Sequence, residues 1–147
     1  MTLAPEHELV NIITTEIQRK FVDKYIMTTK SRSERDRMSD IKTITGEFTG
    51  AYAEHPFTKK PIPIWIGDYV LAGYGTGAVM SVPCGDQRDY DFAKYFKIPI
   101  PNIFAEVDIS EKAFTGKTFT ITDSEFLNGS NFNDCLLYTS PSPRDVP

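Results

Sequence analysis

The chain has 147 residues, 40% of them hydrophobic and 12% aromatic, which suits one domain with a real core and excludes wholesale disorder. Lys and Arg number 16 against 20 Asp and Glu, for a net charge of −4, which excludes a globally basic nucleic-acid binder but not a local basic patch. No apolar run reaches the length of a membrane span, MTLAPEHELV lacks the regions of a signal peptide, and Cys84 and Cys135 form neither a disulfide framework nor a CxxC metal site. A soluble, cytosolic-type protein is the default expectation.

Met1–Pro5 reads as the end of a strand, and Pro5 opens a helical stretch. Leu9, Ile12, Ile13 and Ile17 follow the spacing of one buried helix face, and Phe21, Val22, Tyr25 and Ile26 continue it. From Arg19 to Arg37 seven basic residues face three acidic ones, a local charge of +4. That run is either a solvated helical hairpin or a surface facing nucleic-acid phosphate. ITGEFTGAYAEHP predicts two short strands and a turn. Phe57–Pro61 is a Lys-Pro loop. IPIWI and YVLA are compact β runs, and Pro61 and Pro63 put the first near a sheet edge. GYGTG is a glycine-rich turn, and AVMSVP is a strand stopped by Pro83. DQRDYDFAKYF predicts an amphipathic helix with Phe92, Tyr95 and Phe96 inward and Asp86 as N-cap. IPIPNIFA is extended, TFTIT is a last strand, and DSEFLNG begins a helical turn. LLYTSPSPRDVP has no core-forming pattern. It resembles translated adaptor read-through, so residues 131–147 are set apart from a domain over 1–130.

Three features bear on chemistry. Gly73–Ala78 fits G-x-G-x-x-A by letters, but a β-branched run ending in Pro83 follows where a dinucleotide site needs a helix. A tight turn, or a backbone that a substrate approaches closely, are the other readings. Cys84 sits between a strand and a helix start, where a thiol can be activated. The only histidines are His7 and His55, neither placed as its base, so a small buried cysteine is the alternative. No cluster has zinc spacing. Asp86, Arg88, Asp89 and Asp91 crowd one helix start, either as caps or as an anion for a cationic group.

GYGTGAVMSVPCGDQRDYDFAKYF resembles the signature of the leucyl-tRNA synthetase editing domain. MTLAPEHELV, KSRSERDRM, TGEFTGAYAEHPF, PIPIWIGDYVLAGYG and DSEFLNG resemble that domain in the same order, over roughly residues 1–130. The resemblance implies an α+β fold, a β-barrel-like editing domain with peripheral helices. It implies hydrolysis of wrong aminoacyl esters on the 3′ end of tRNA(Leu), because a leucine pocket cannot reject near-isosteres by binding alone. Asp89 and Thr76 are the implied catalytic residues, with Asp89 holding the substrate α-ammonium. Tyr74, Gly75, Gly77, Met80, Val82, Asp86 and Arg88 are the implied substrate-binding residues, and water is the attacking group. No metal or cofactor is implied within the chain. ATP and Mg belong to the synthetic domain of the parent ligase, which is cytoplasmic and read as a monomer.

The sequence also departs from the family pattern. The threonine-rich segment with its arginine, HIGH and KMSKS are all absent, and Gly85 stands where many relatives carry histidine. The chain is therefore expected to begin inside a larger protein and to edit weakly by itself. A non-catalytic tRNA-binding remnant and a Cys84-dependent hydrolase are the rival readings.

Overall fold

The computed structural model describes residues 1–39 and 43–131. Cys135 and all of the expected tail except Asn131 lie outside the described residues. The chain divides into two compact units, Met1–Ser81 and a second from Val82 onward.

The first unit holds β1 (Thr2–Leu3), α1 (Glu8–Ile13), α2 (Glu16–Lys30), α3 (Glu34–Ser39), β2 (Gly46–Glu54), β3 (Pro61–Gly67) and β4 (Ala78–Val79). The four strands form a mixed sheet in the order β2-β3-β1-β4. β1 runs parallel to β3 and antiparallel to β4, and β2 is antiparallel to β3. Leu3, Val10, Val22, Ile64 and Ile66 make the buried cluster under α1 and α2. Each such side chain taken from water is worth about 1.5–3 kcal/mol. The α+β class is as expected. The described strands, however, form an open sheet with β2 and β4 outermost, not a closed barrel. β1 and β4 have two residues each, too few to carry a ladder round a barrel.

The helical stretch is broken where one continuous stripe was expected. Thr14 and Thr15 are both extended, ending α1 and opening α2. Two non-helical residues reset the helical phase. Val10 and Val22 are buried, while Leu9, Ile12, Ile17 and Phe21 are exposed. Arg19 reaches back across the break to the carbonyls of Asn11 and Thr14, each at 3.0 Å. It satisfies acceptors that the end of α1 leaves open.

The segment read as two strands and a turn is a single strand, β2, with a bulge at its middle. Phe48 pairs with Trp65 and Tyr52 with Pro63, so Thr49, Gly50 and Ala51 face Ile64 alone. Gly50 supplies φ +80° there. The Thr49 hydroxyl donates to the Ile64 carbonyl at 2.6 Å, standing in for the interrupted ladder.

β3 lies inside the sheet, contrary to the edge position its prolines suggested. β1 pairs only with Trp65 and Ile66, so Pro61 and Pro63 fall outside that short ladder. YVLA is a turn, not a strand. The Asp68 and Val70 carbonyls are taken by the Arg37 guanidinium.

Tyr25 links helix to turn. Its oxygen accepts from the Asp68 N–H at 3.0 Å and lies 2.9 Å from the Thr45 hydroxyl. Burial is the main reason its pKa is pushed up from 10.0 to about 12. The folded state therefore holds this proton more tightly than the unfolded chain does. Stability from this group is complete below pH 10 and is lost as pH rises toward 12. Tyr25→Phe should flatten that part of a stability-versus-pH profile. Profiles of equal slope in the two proteins would contradict the assignment.

The second unit is built round α4 (Gln87–Tyr95) and ends, among the described residues, with a 3-10 turn at Glu125–Leu127. Tyr90, Phe92 and Ala93 are buried, but Tyr95 is exposed, so one of the three aromatics expected to face inward faces solvent. Lys97, at φ 55°, ends the helix. Phe104, Phe114 and Phe119 form an aromatic cluster with centroids 4.5–5.9 Å apart. TFTIT is not a regular strand. It makes isolated bridges, Phe104 to Ile121 and Thr120 to Asn131.

No described helix is long and apolar enough to cross a membrane.

Candidate functional site

The predicted residues divide between the two units. In the first, Tyr74, Gly75, Thr76 and Gly77 occupy one turn. Gly75 and Gly77 have φ 60° and 70°, a conformation that glycine adopts without steric cost. Gly77 is also crowded: a Cβ there would lie 3.3 Å from both the Ala72 Cα and the His7 ring. Its carbonyl accepts from the Ala4 N–H at 2.8 Å. Gly75 faces open space. The Thr76 hydroxyl is engaged with the backbone of Ala78, both N–H and carbonyl at 3.3 Å. Tyr74 is 81% exposed and Met80 53%, so both present apolar surface to solvent. The backbone turns back toward β4 after this run, with no helix N-terminus for a pyrophosphate. That removes the dinucleotide reading of GYGTGA.

In the second unit Val82, Asp86, Arg88 and Asp89 come together at the start of α4. Asp86 is the N-cap, its Oδ1 accepting from the N–H groups of Arg88 at 2.9 Å and Asp89 at 3.0 Å. The capping reading holds for Asp86. Asp89 is only 7% exposed, and its Oδ2 accepts from the Val82 N–H at 2.7 Å. The backbone donor thus fixes the position of a largely buried carboxyl group. The Arg88 side chain is exposed, and Val82 is 46% exposed.

Cys84 is buried, and its carbonyl accepts from the Phe114 N–H at 2.8 Å. Burial pushes its thiol pKa up, which lowers the thiolate fraction that a nucleophile needs. Cys84→Ser is therefore expected to keep most of any ester-hydrolysing activity. Loss of activity together with a trapped acyl-cysteine would reject that expectation.

The second unit also has a concave pocket of about 370 Å³, lined in part by Lys94, Ile98, Ile100, Asn102 and Val107. None of the predicted site residues lines it.

One group escaped the sequence reading. Arg37, 6% exposed, donates from Nε to the Asp68 carbonyl at 2.9 Å and from Nη2 to the Val70 carbonyl at 3.0 Å. Its Nη1 pairs with the Glu6 carboxylate. Arg32 pairs with the Asp68 carboxylate at 2.8 Å. Of the seven basic residues between Arg19 and Arg37, these two and Arg19 thus serve the fold itself. Lys20, Lys24, Lys30 and Arg35 remain on the surface. No local spacing could have shown this, because Arg37 and its carbonyl partners lie more than thirty residues apart.

The sequence matches the family model described as leucyl-tRNA synthetase, editing domain, over residues 1–140. The chain belongs to this family. It is 66% identical over 137 residues to the leucine--tRNA ligase of Christiangramia forsetii, covering 92% of this chain and 14% of that protein. It is 64% identical over 140 residues to the leucine--tRNA ligase of Flavobacterium johnsoniae, covering 91% and 15%. Among solved structures it resembles the ternary complex of Agrobacterium radiobacter LeuRS-tRNA-LeuAMS, with a TM-score of 0.58 and 28% identity, over 76% of this chain and 13% of that one. The chain thus spans about a seventh of the length of these relatives.

Proposed function

We propose that this chain is the editing segment of a cytoplasmic, monomeric leucine--tRNA ligase and takes part in hydrolysing the ester of tRNA(Leu) carrying a non-cognate amino acid. The observation that carries this reading is the editing-domain match over residues 1–140. A rejected amino acid that differs by one methylene is discriminated by only about 1–3 kcal/mol of binding, so a second, hydrolytic site has a physical reason to exist.

In this reading Asp89 holds the substrate α-ammonium. Its support is a carboxylate already buried and fixed by the Val82 N–H. Met80 and Val82 contact the amino-acid side chain, and Tyr74 takes the terminal adenosine. The backbone of Gly75, Thr76 and Gly77 lies along the ester, and the Thr76 hydroxyl, already bonded to the chain, helps to orient the attacking water. Asp86 and Arg88 complete the substrate contacts at the start of α4. No side chain serves as nucleophile. Catalysis comes from placing a water and an ester in register, which is worth several kcal/mol without any strong base. ATP and Mg serve leucine activation in the synthetic domain and take no part in this hydrolysis. The finer reading of the fold is a barrel-like editing domain, with the mixed sheet β2-β3-β1-β4 as its described part. The threonine-rich segment of the family supplies the rest of the amino-acid pocket, so the 147 residues alone deacylate weakly.

The test is deacylation of purified tRNA(Leu) carrying a short aliphatic amino acid. The full-length ligase should hydrolyse it far faster than it hydrolyses by itself in buffer, and the 147 residues alone should do so slowly. A full-length rate equal to the spontaneous one would reject the proposal.

A further inference from the structure

The Tyr74–Gly77 turn sits at the far end of the run 68–77, so its position depends on how the two stems of that run are held. The outgoing stem is fixed by the Ala4 N–H on the Gly77 carbonyl at 2.8 Å and by close packing of Gly77 against His7 and Ala72. The incoming stem is fixed by the Arg37 guanidinium on the carbonyls of Asp68 and Val70. The same guanidinium pairs with Glu6, which lies between Ala4 and His7 in sequence. One planar group therefore ties the incoming stem to the segment that holds the outgoing one.

We propose that Arg37 is a positioning residue for the Tyr74–Gly77 turn, acting through the carbonyls of Asp68 and Val70 and through Glu6. This rests on the editing reading above, in which that turn faces the substrate. Arg37 is not needed merely to keep Asp68 in place. The Asp68 N–H is held by the Tyr25 oxygen and its carboxylate by Arg32. What Arg37 adds is the hold on Val70 and the cross-link to Glu6. Lysine keeps the charge but lacks the fork, so it cannot reach two carbonyls and a carboxylate together. Without the fork the fold keeps its Tyr25 and Arg32 anchors while the turn drifts.

The experiment uses the full-length ligase and its Arg37→Lys and Glu6→Gln variants, with Asp89→Ala as control. Deacylation of tRNA(Leu) carrying a short aliphatic amino acid is resolved into kcat and KM, and leucylation is followed beside it. Arg37→Lys should lower the deacylation kcat about 10- to 100-fold, the scale set by misplacing a reacting group by about 1 Å. KM and leucylation should hardly move. Glu6→Gln should show a smaller loss in kcat of the same kind. If Arg37 were only structural, its replacement would lower the unfolding midpoint and leave the kcat of the folded enzyme unchanged. A wild-type kcat in both variants overturns the proposal. If Arg37→Lys does not fold, Glu6→Gln decides alone, and a wild-type kcat there overturns it. Deacylation that is lost with Asp89→Ala but untouched by the Arg37 and Glu6 changes defeats the positioning role only. Deacylation absent from the unsubstituted enzyme defeats the editing reading, and this assignment with it.

Discussion

Asp89→Ala is expected to lower deacylation of mischarged tRNA(Leu) by about a hundredfold or more while leucylation is unchanged. Truncating one partner of a buried hydrogen-bonded charge pair costs about 2–5 kcal/mol, and each 1.36 kcal/mol of lost transition-state stabilisation is about tenfold in rate. The side chain has a second duty, since its Oδ2 accepts from the Val82 N–H. Removing that acceptor leaves a backbone donor unsatisfied, at a cost of about 1–3 kcal/mol in stability if the group stays buried. Asp89→Asn separates the two effects. The amide oxygen still accepts from Val82, so stability should stay close to wild type, but the negative charge is gone and deacylation should fall nearly as far as in the alanine variant. Kinetic traces and unfolding midpoints for both variants check this. An asparagine variant that deacylates like wild type would remove the ammonium-binding role.

Gly50→Ala is expected to destabilise the first unit by about 2–4 kcal/mol, combining a left-handed backbone cost with overpacking. Gly50 has φ +80°, and a Cβ there would lie 2.1 Å from the Thr15 Oγ1 and 2.9 Å from its Cγ2. Thr15 cannot simply withdraw. It is the residue at the start of α2, and its N–H is bonded to the Thr49 carbonyl at 3.0 Å. The bulge in β2 and the break between α1 and α2 are therefore one packing event. Urea unfolding of the chain measures the effect. Adding Thr15→Ala should recover the steric part and leave the backbone part. A single Gly50→Ala variant with the wild-type midpoint would show that neither cost is real.

That coupling explains which parts of the fold were legible in the sequence. Helix periodicity is local, so α4 and its Asp86 cap could be read from the residues, as could the glycine turn. The phase of α1 and α2 could not. Two extended threonines reset it, and what holds Thr15 extended is a strand more than thirty residues later. Glycines among strand formers in ITGEFTGAYAEHP suggest a turn, because glycine supplies the positive φ that many turns need, yet at Gly50 that conformation serves a bulge. Pro61 and Pro63 argued for an edge strand, a rule that holds only where the neighbouring ladder reaches the prolines. YVLA has strand composition, but Arg37 takes the Asp68 and Val70 carbonyls. The candidate site was legible to the extent that its proposed chemistry is local. A carboxylate at a helix start, glycines in a turn and a thiol without a base all showed in the letters. Arg37 did not, because a charge in a basic run looks the same whether it meets water or a buried carbonyl.

The most direct measurement of the central claim is the accumulation of mischarged tRNA(Leu) during a full aminoacylation reaction supplied with a non-cognate aliphatic amino acid and no leucine. The unsubstituted full-length enzyme should consume ATP and accumulate almost no mischarged product. Its Asp89→Ala variant should accumulate that product steadily at the same rate of activation. Equal accumulation by the two enzymes would contradict the assignment of this chain to hydrolytic editing.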